Sequence, residues 1–249
     1  MKYLLLMVCL ASLAGCVKKR TPQPAAKAPD PPSTKPKEET KNPEPPQDDK
    51  KIIIANPIIE KTIRKNINKP VGELTMVDCQ KLTRLLLNNN NLSNVKGLEN
   101  LNQLTKLYLY GNQLTDVSGL EKINQLRWLE LGGNQLTEIP KGLEKLTQIR
   151  VLWLYNNQLT NLKGLEKLDQ LTELSLNNNN LSNVKGLEKL NQLKGLILSN
   201  NKLTDLKGLE KLDRLTGLAL NNNPDLTIAQ IVQLKMALPL CEIKHNATK

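Results

Sequence analysis

The chain has 249 residues, of which 39% are hydrophobic, 24% charged and only 2% aromatic, with no Phe and a formal net charge of +11. That length is enough to bury a sizeable core. The charge invites a nucleic-acid reading, but +4 of it sits in four recurring "KGLEKL" phrases, where Lys and Glu alternate as on a solvated face, so no nucleic-acid partner is expected.

Residues 1–15 have the layout of a secretory signal peptide: Lys2, an apolar run from Leu4 to Leu13, then small residues. The run is too short to span a bilayer. Leu13-Ala14-Gly15-Cys16 resembles the lipobox of bacterial lipoproteins. That resemblance implies cleavage before Cys16, acylation of its thiol, and membrane attachment through the N-terminal lipid, which places the protein in the bacterial cell envelope. Val17 stands where an Asp would direct Gram-negative lipoproteins to the inner membrane, so the resemblance favours the outer membrane.

Residues 16–50 comprise this Cys and a stretch with nine Pro, no aromatic residue and almost no aliphatic side chain larger than Ala. Such a segment buries too little apolar surface to offset chain entropy and reads as a disordered tether. Residues 51–81 read as an N-terminal cap. Asn56-Pro57 is a helix start, Ile59, Ile63 and Ile67 fall at helical spacing, and "NKP" stops the helix. "GELTMVDCQK" then leads into a first strand.

From Leu82 to Asn223 the chain divides into seven units beginning LTRLLLNNNNLSNVKGLENLNQ and LTKLYLYGNQLTDVSGLEKINQ, with a period of 22 and one unit of 23 near Pro140. In each LxxLxL segment the fourth and sixth residues point one way, and the third, fifth and seventh the other, as in a short strand. Asn recurs at Asn90, Asn112, Asn134, Asn157, Asn179, Asn201 and Asn223, which predicts a ladder of buried amides bonded to neighbouring coils. Gly97, Gly119, Gly142, Gly164, Gly186 and Gly208 suit a tight or left-handed turn. One coil cannot bury its Leu residues alone, whereas stacked coils bury a continuous core.

These units resemble the leucine-rich repeat family, and their length with GLExL resembles its internalin-like class. The resemblance implies an α/β fold: a leucine-rich repeat solenoid with a curved parallel sheet on its concave face, short 3₁₀ or irregular convex segments, and helical N- and C-terminal caps. It also implies binding of a protein or peptide through the concave face.

Residues 224–249 read as the C-terminal cap: Thr227 and Gln230 match a capping box, Pro239 ends the helix, and "CEIKH" offers a last strand. Cys79 and Cys241 then lie at opposite ends of the array, roughly 30 Å apart at about 4.8 Å per coil, too far to bridge. His245 is the only His, and no metal-ligand spacing, phosphate loop or nucleophile motif occurs. An enzyme is not expected, no cofactor is implied, and the expected state is a monomer.

Tyr108, Tyr110, Trp128, Trp153 and Tyr155 are the aromatic residues after Cys16, and all occupy third, fifth or seventh positions of repeats two to four. If five aromatics were scattered over the outward slots of seven repeats, such clustering would arise about once in 160 trials. Exposed aromatic patches mark binding surfaces. With Glu130 and Val151, these residues form the expected ligand face. Gly132 is expected to leave a slot of roughly 9.6 Å between Tyr110 and Tyr155, open to a flat or alkyl-ammonium group. A peptide reading then calls for a cationic ligand drawn to Glu130. Glycan binding is an alternative, since Tyr and Trp also stack on sugars, as is a purely structural envelope role.

Overall fold

The computed structural model describes residues 50–248; the expected signal peptide, the expected acylation site Cys16 and the expected tether up to Asp49 lie outside the described residues. Two short strands, β1 (Lys51–Ile52) and β2 (Leu74–Thr75), pair antiparallel through Ile52 and Leu74 and open the N-terminal end. Between them α1 (Pro57–Asn66) begins where the Asn56 side chain accepts hydrogen bonds from the Ile58 and Ile59 amides. It buries Ile59 and Ile63. "GELTMVDCQK" holds more than the expected lead-in. It contains β2 and a five-residue helix, α2 (Met76–Gln80), started by a reciprocal capping box between Thr75 and Asp78.

Eight parallel strands follow, in spatial order the same as sequence order. They are β3 (Arg84–Leu86), β4 (Lys106–Tyr108), β5 (Trp128–Glu130), β6 (Val151–Trp153), β7 (Glu173–Ser175), β8 (Gly195–Ile197), β9 (Gly217–Ala219) and β10 (Glu242–Lys244). Equivalent residues lie side by side throughout, Leu85 against Leu107, Leu107 against Leu129 and Leu129 against Leu152, so the inward Leu residues stack into one core. The extra residue near Pro140 does not disturb this register, because Trp128 still faces Val151; the added length is absorbed between the strands.

The asparagine ladder forms as expected from the second repeat onward. The Asn134 amide donates to Leu109 O and Leu131 O while its Oδ1 accepts from Leu114 N, and Asn112, Asn157, Asn179, Asn201 and Asn223 repeat the arrangement. Asn90 departs from it. With no coil before it to receive its amide, it bonds instead to Asn88 O, two residues back.

One position earlier in each unit the backbone is left-handed: Asn89, Gly111, Gly133, Asn156, Asn178, Asn200 and Asn222 have φ between 53° and 67°. Only Asn and Gly tolerate that conformation readily, which is why the letters before the ladder alternate between these two types.

The six Gly of the GLExL phrase also have positive φ, as expected, and each has its N–H bound by the Glu two residues on, for example Gly119 N to Glu121 Oε2 at 2.7 Å and Gly208 N to Glu210 Oε2 at 2.6 Å. These Glu residues are thus turn caps, not merely members of a solvated charge pattern. The bonds to backbone N–H groups hold the Glu166 carboxyl below its ordinary range.

At the C-terminal end α3 (Ile228–Ala237) starts at the Thr227–Gln230 capping box and packs beside the 3₁₀ segment Leu209–Lys211, opposite the sheet. It buries Ile231 and Leu234, and β10 then completes the sheet. Cys79 is buried and Cys241 half-buried, both as free thiols. Among the described residues no helix is long and apolar enough to cross a membrane. The described residues fall within one compact unit, and their core runs from Ile52 to Ile243.

Candidate functional site

The strand register brings the expected ligand face together on one side of β4, β5 and β6. Tyr108 lies beside Glu130 and Glu130 beside Trp153; Trp128 lies beside Val151. Because the fourth and sixth positions are committed to the core, the aromatic side chains all emerge on the sheet's solvent side. Their rings form a connected chain. Tyr108 and Trp128 lie with centroids 6.0 Å apart, Trp128 meets Trp153 edge-on at 4.7 Å, and Trp153 lies 6.4 Å from Tyr155. All five rings and Val151 are half-buried, each leaving part of its surface open.

The slot at Gly132 is not there. Tyr155 lies down across the bare Gly132 backbone and stacks on Tyr110, with centroids 5.8 Å apart and planes 29° from parallel. A Cβ on Gly132 would stand 2.6 Å from Tyr155 Cζ. The strands pair in the expected register, but an empty trough between two rings exposes apolar surface on both sides, and collapsing one ring into it removes that surface from water. Gly132 is therefore what allows the ring to recline. It is not the floor of a pocket.

Glu130 also differs from expectation. It is 7% exposed, and its Oε1 accepts a 2.8 Å hydrogen bond from the Tyr155 hydroxyl. Burial pushes the Glu130 carboxyl above its ordinary range, only partly opposed by that bond, and burial with the adjacent carboxylate pushes the Tyr155 phenol up. A carboxyl so enclosed offers no exposed anion for a cationic ligand. Ser175, on the same face, is likewise buried, at 6% exposure, with its hydroxyl donating to Asn177 Oδ1.

Basic side chains border the patch, and sequence reasoning passed over them. The Arg84 guanidinium lies 4.9 Å from the Tyr108 ring centroid, a cation–π contact. Lys106, Arg127 and Arg150 are exposed where β4, β5 and β6 begin, and none forms an ion pair with a described residue. Leu86 and Ile197 extend the exposed apolar surface along the fifth positions. The signal was present in the repeat alignment, where Arg84 and Lys106 share the third position with Trp128. Among the described residues no group of His, Cys, Asp or Glu is placed to hold a metal ion.

A stack of coils closed by an asparagine ladder, with one parallel strand per coil, is a leucine-rich repeat solenoid. Residues 80–122, 124–167 and 147–189 match the family model described as leucine-rich repeats (2 copies). Among solved structures the chain is similar to an internalin (inlF) of Listeria monocytogenes, at 26% identity and a TM-score of 0.71, covering 79% of this chain and 58% of that one. It is also similar to internalin C2 of the same species, at 27% identity and a TM-score of 0.72, covering 79% of this chain and 88% of that one. The chain thus spans less than two thirds of the first of these proteins. No curated protein matches the sequence.

Proposed function

We propose that the protein is a non-catalytic recognition module, anchored to the bacterial envelope through acylated Cys16, that binds a protein or peptide on the aromatic face of β4 to β6. The observation that carries this reading is the continuous chain of partly open rings from Tyr108 through Trp128 and Trp153 to Tyr155. Tyr and Trp supply large contact area with few rotamers to freeze, the chemistry of interface hot spots. The exposed Lys106, Arg127 and Arg150 beside those rings make the fitting partner an acidic segment with aromatic or aliphatic side chains, with Glu130 removed from the exposed charge by burial.

Selection from a displayed random-peptide library tests this. The enriched peptides carry Asp or Glu beside an apolar residue, lose about 30-fold in affinity to Trp153→Ala, and keep it with Asn221→Ala, a seventh-position control three strands from Trp153. Enrichment of basic peptides, or of peptides indifferent to Trp153, overturns the site. The anchor is tested separately: Cys16→Ala moves the protein from the membrane to the soluble fraction, and a variant that still sediments with membranes excludes the lipid.

A further inference from the structure

The two ends of the sheet are finished differently. Beside β3, α1 packs across the first coil. Among the described residues no strand pairs with the outer edge of β10. In β10 the Glu242 N–H donates to Thr216 O and the Lys244 carbonyl accepts from Leu220 N, so residues 242 and 244 turn their backbone groups to β9. By the alternation of a strand, Ile243 turns its N–H and C=O outward. The equivalent residue of β4 is Leu107, which lies beside Leu129 of the next strand, whereas among the described residues Ile243 has no next strand. An exposed edge of this kind is a template for pairing.

We propose that this edge joins a second copy of the chain, β10 pairing antiparallel with its symmetry mate about a two-fold axis at Ile243. The sequence of the strand is complementary to itself in that register alone. Ile243 faces Ile243 of the second copy and exchanges both backbone hydrogen bonds with it, while Glu242 faces Lys244 and Lys244 faces Glu242. These two charged pairs fall at non-hydrogen-bonded positions, where antiparallel side chains stand closest. Glu242 and Lys244 are exposed and already lie 3.3 Å apart within one strand, so both charges are on the face where they would meet their opposites.

A three-residue strand pair is too small an interface by itself, since a stable one buries about 600 Å² or more per partner. The helix beside it supplies the remainder. On α3 and just after it, Ile228, Val232, Met236 and Leu240 recur every four residues and stay exposed, Met236 at 77% and Leu240 at 86%. The inward residues Ile231 and Leu234 already serve the core, and the described residues leave this second apolar stripe uncovered. The two-fold axis stands perpendicular to the joined sheet, which puts both α3 helices, with their uncovered stripes, on the same side of it. Sheet edge and charge therefore agree on one partner and one orientation, in contrast to the monomer expected from sequence.

Sedimentation velocity of the unit from residue 44 onward tests the proposal. The wild type is expected to be a dimer at tens of micromolar. Lys244→Glu and Glu242→Lys each place like charges opposite one another and weaken the dimer by about tenfold or more. Mixing the two variants restores dimers, because each supplies the charges the other lacks, and Glu242→Lys combined with Lys244→Glu in one chain also restores them. Met236→Asp weakens association in every one of these backgrounds. A wild type that stays monomeric at 100 µM overturns the proposal. So does a dimer indifferent to both charge reversals, which would place the contact elsewhere, or single variants that remain monomeric when mixed.

Discussion

The Tyr155 hydroxyl donates to Glu130 Oε1 at 2.8 Å across the bare backbone of Gly132, tying the fifth position of one coil to the seventh of the next. The bond organises the aromatic face around a buried carboxyl. Burial raises the Glu130 pKa, so its ionisation costs folding free energy: the favourable contribution is complete below the ordinary carboxylate range and is lost as pH rises through the raised value. Glu130→Gln keeps an acceptor for Tyr155 without the buried charge. It is expected to raise stability at pH 7 by about 1 kcal/mol or less, and to have no effect near pH 4, in urea titrations at the two values. Destabilisation at pH 7 would show that the charge itself is needed to hold Tyr155.

Gly132→Ala separates the ring's position from the ring itself. The added methyl cannot coexist with Tyr155 lying across it, so the ring must stand up, losing both the stack on Tyr110 and the bond to Glu130. A loss of about 1 to 2 kcal/mol in stability is expected, with tyrosine fluorescence and near-ultraviolet circular dichroism changed as they are in Tyr155→Phe combined with Tyr110→Leu. An alanine variant with wild-type spectra and stability would mean that the ring has room this geometry denies it.

The repeat was open to sequence reading because each of its requirements is local and recurs: two inward Leu, one buried amide, one left-handed Gly. Repetition turns a weak preference into a register, and the strands, ladder and glycine turns followed. Residues whose roles depend on a neighbour in space were harder. Glu121 looks like a surface charge until it is placed within reach of Gly119 N, and Asn156 looks like part of an Asn-rich turn until its φ of 53° is known. The slot failed for the same reason. Strand register is a property of the repeat and was legible, whereas the recline of Tyr155 depends on what lies beneath and beside it. The edge of β10 carries its information in three residues and becomes visible only once their backbone directions are known.

Adjacent asparagines should differ sharply. Asn157 is buried, donates to Leu131 O and Leu154 O, and accepts from Leu136 N, so alanine there removes three bonds inside the solenoid and leaves the Leu136 N–H without a partner, while Leu131 O and Leu154 O keep one bond each from Asn134 and Asn179. Asn156 is exposed and its main contribution is tolerance of a left-handed backbone. Asn157→Ala is expected to cost at least about 3 kcal/mol and Asn156→Ala about 1 kcal/mol in equilibrium urea unfolding. Equal costs would remove the ladder as the source of coil-to-coil cohesion.

The N-terminal end should melt first in acid, and Asp78 is the reason. Its Oδ2 receives Lys69 Nζ at 2.6 Å together with the Thr75 amide and hydroxyl, while Lys81 Nζ reaches Oδ1 at 3.4 Å. The bond from Lys69 leads in holding the carboxyl down to about 2, against the opposing effect of burial. Since the folded value lies below the ordinary one, the stabilisation is complete above about pH 4 and lost as pH falls toward 2. Asp78→Asn preserves the side chain's shape and one acceptor but loses the charge. It is expected to destabilise by about 1 to 2 kcal/mol at pH 7, with the difference from wild type shrinking through this window until the two unfolding curves meet. The same carboxylate, after burial, helps raise the neighbouring Cys79 thiol to about 11, so the variant should also bring that thiol's titration down slightly. A stability difference that stays constant from pH 7 to pH 2 would show that Asp78 acts through shape alone, and the ionic account of this cap would then be wrong.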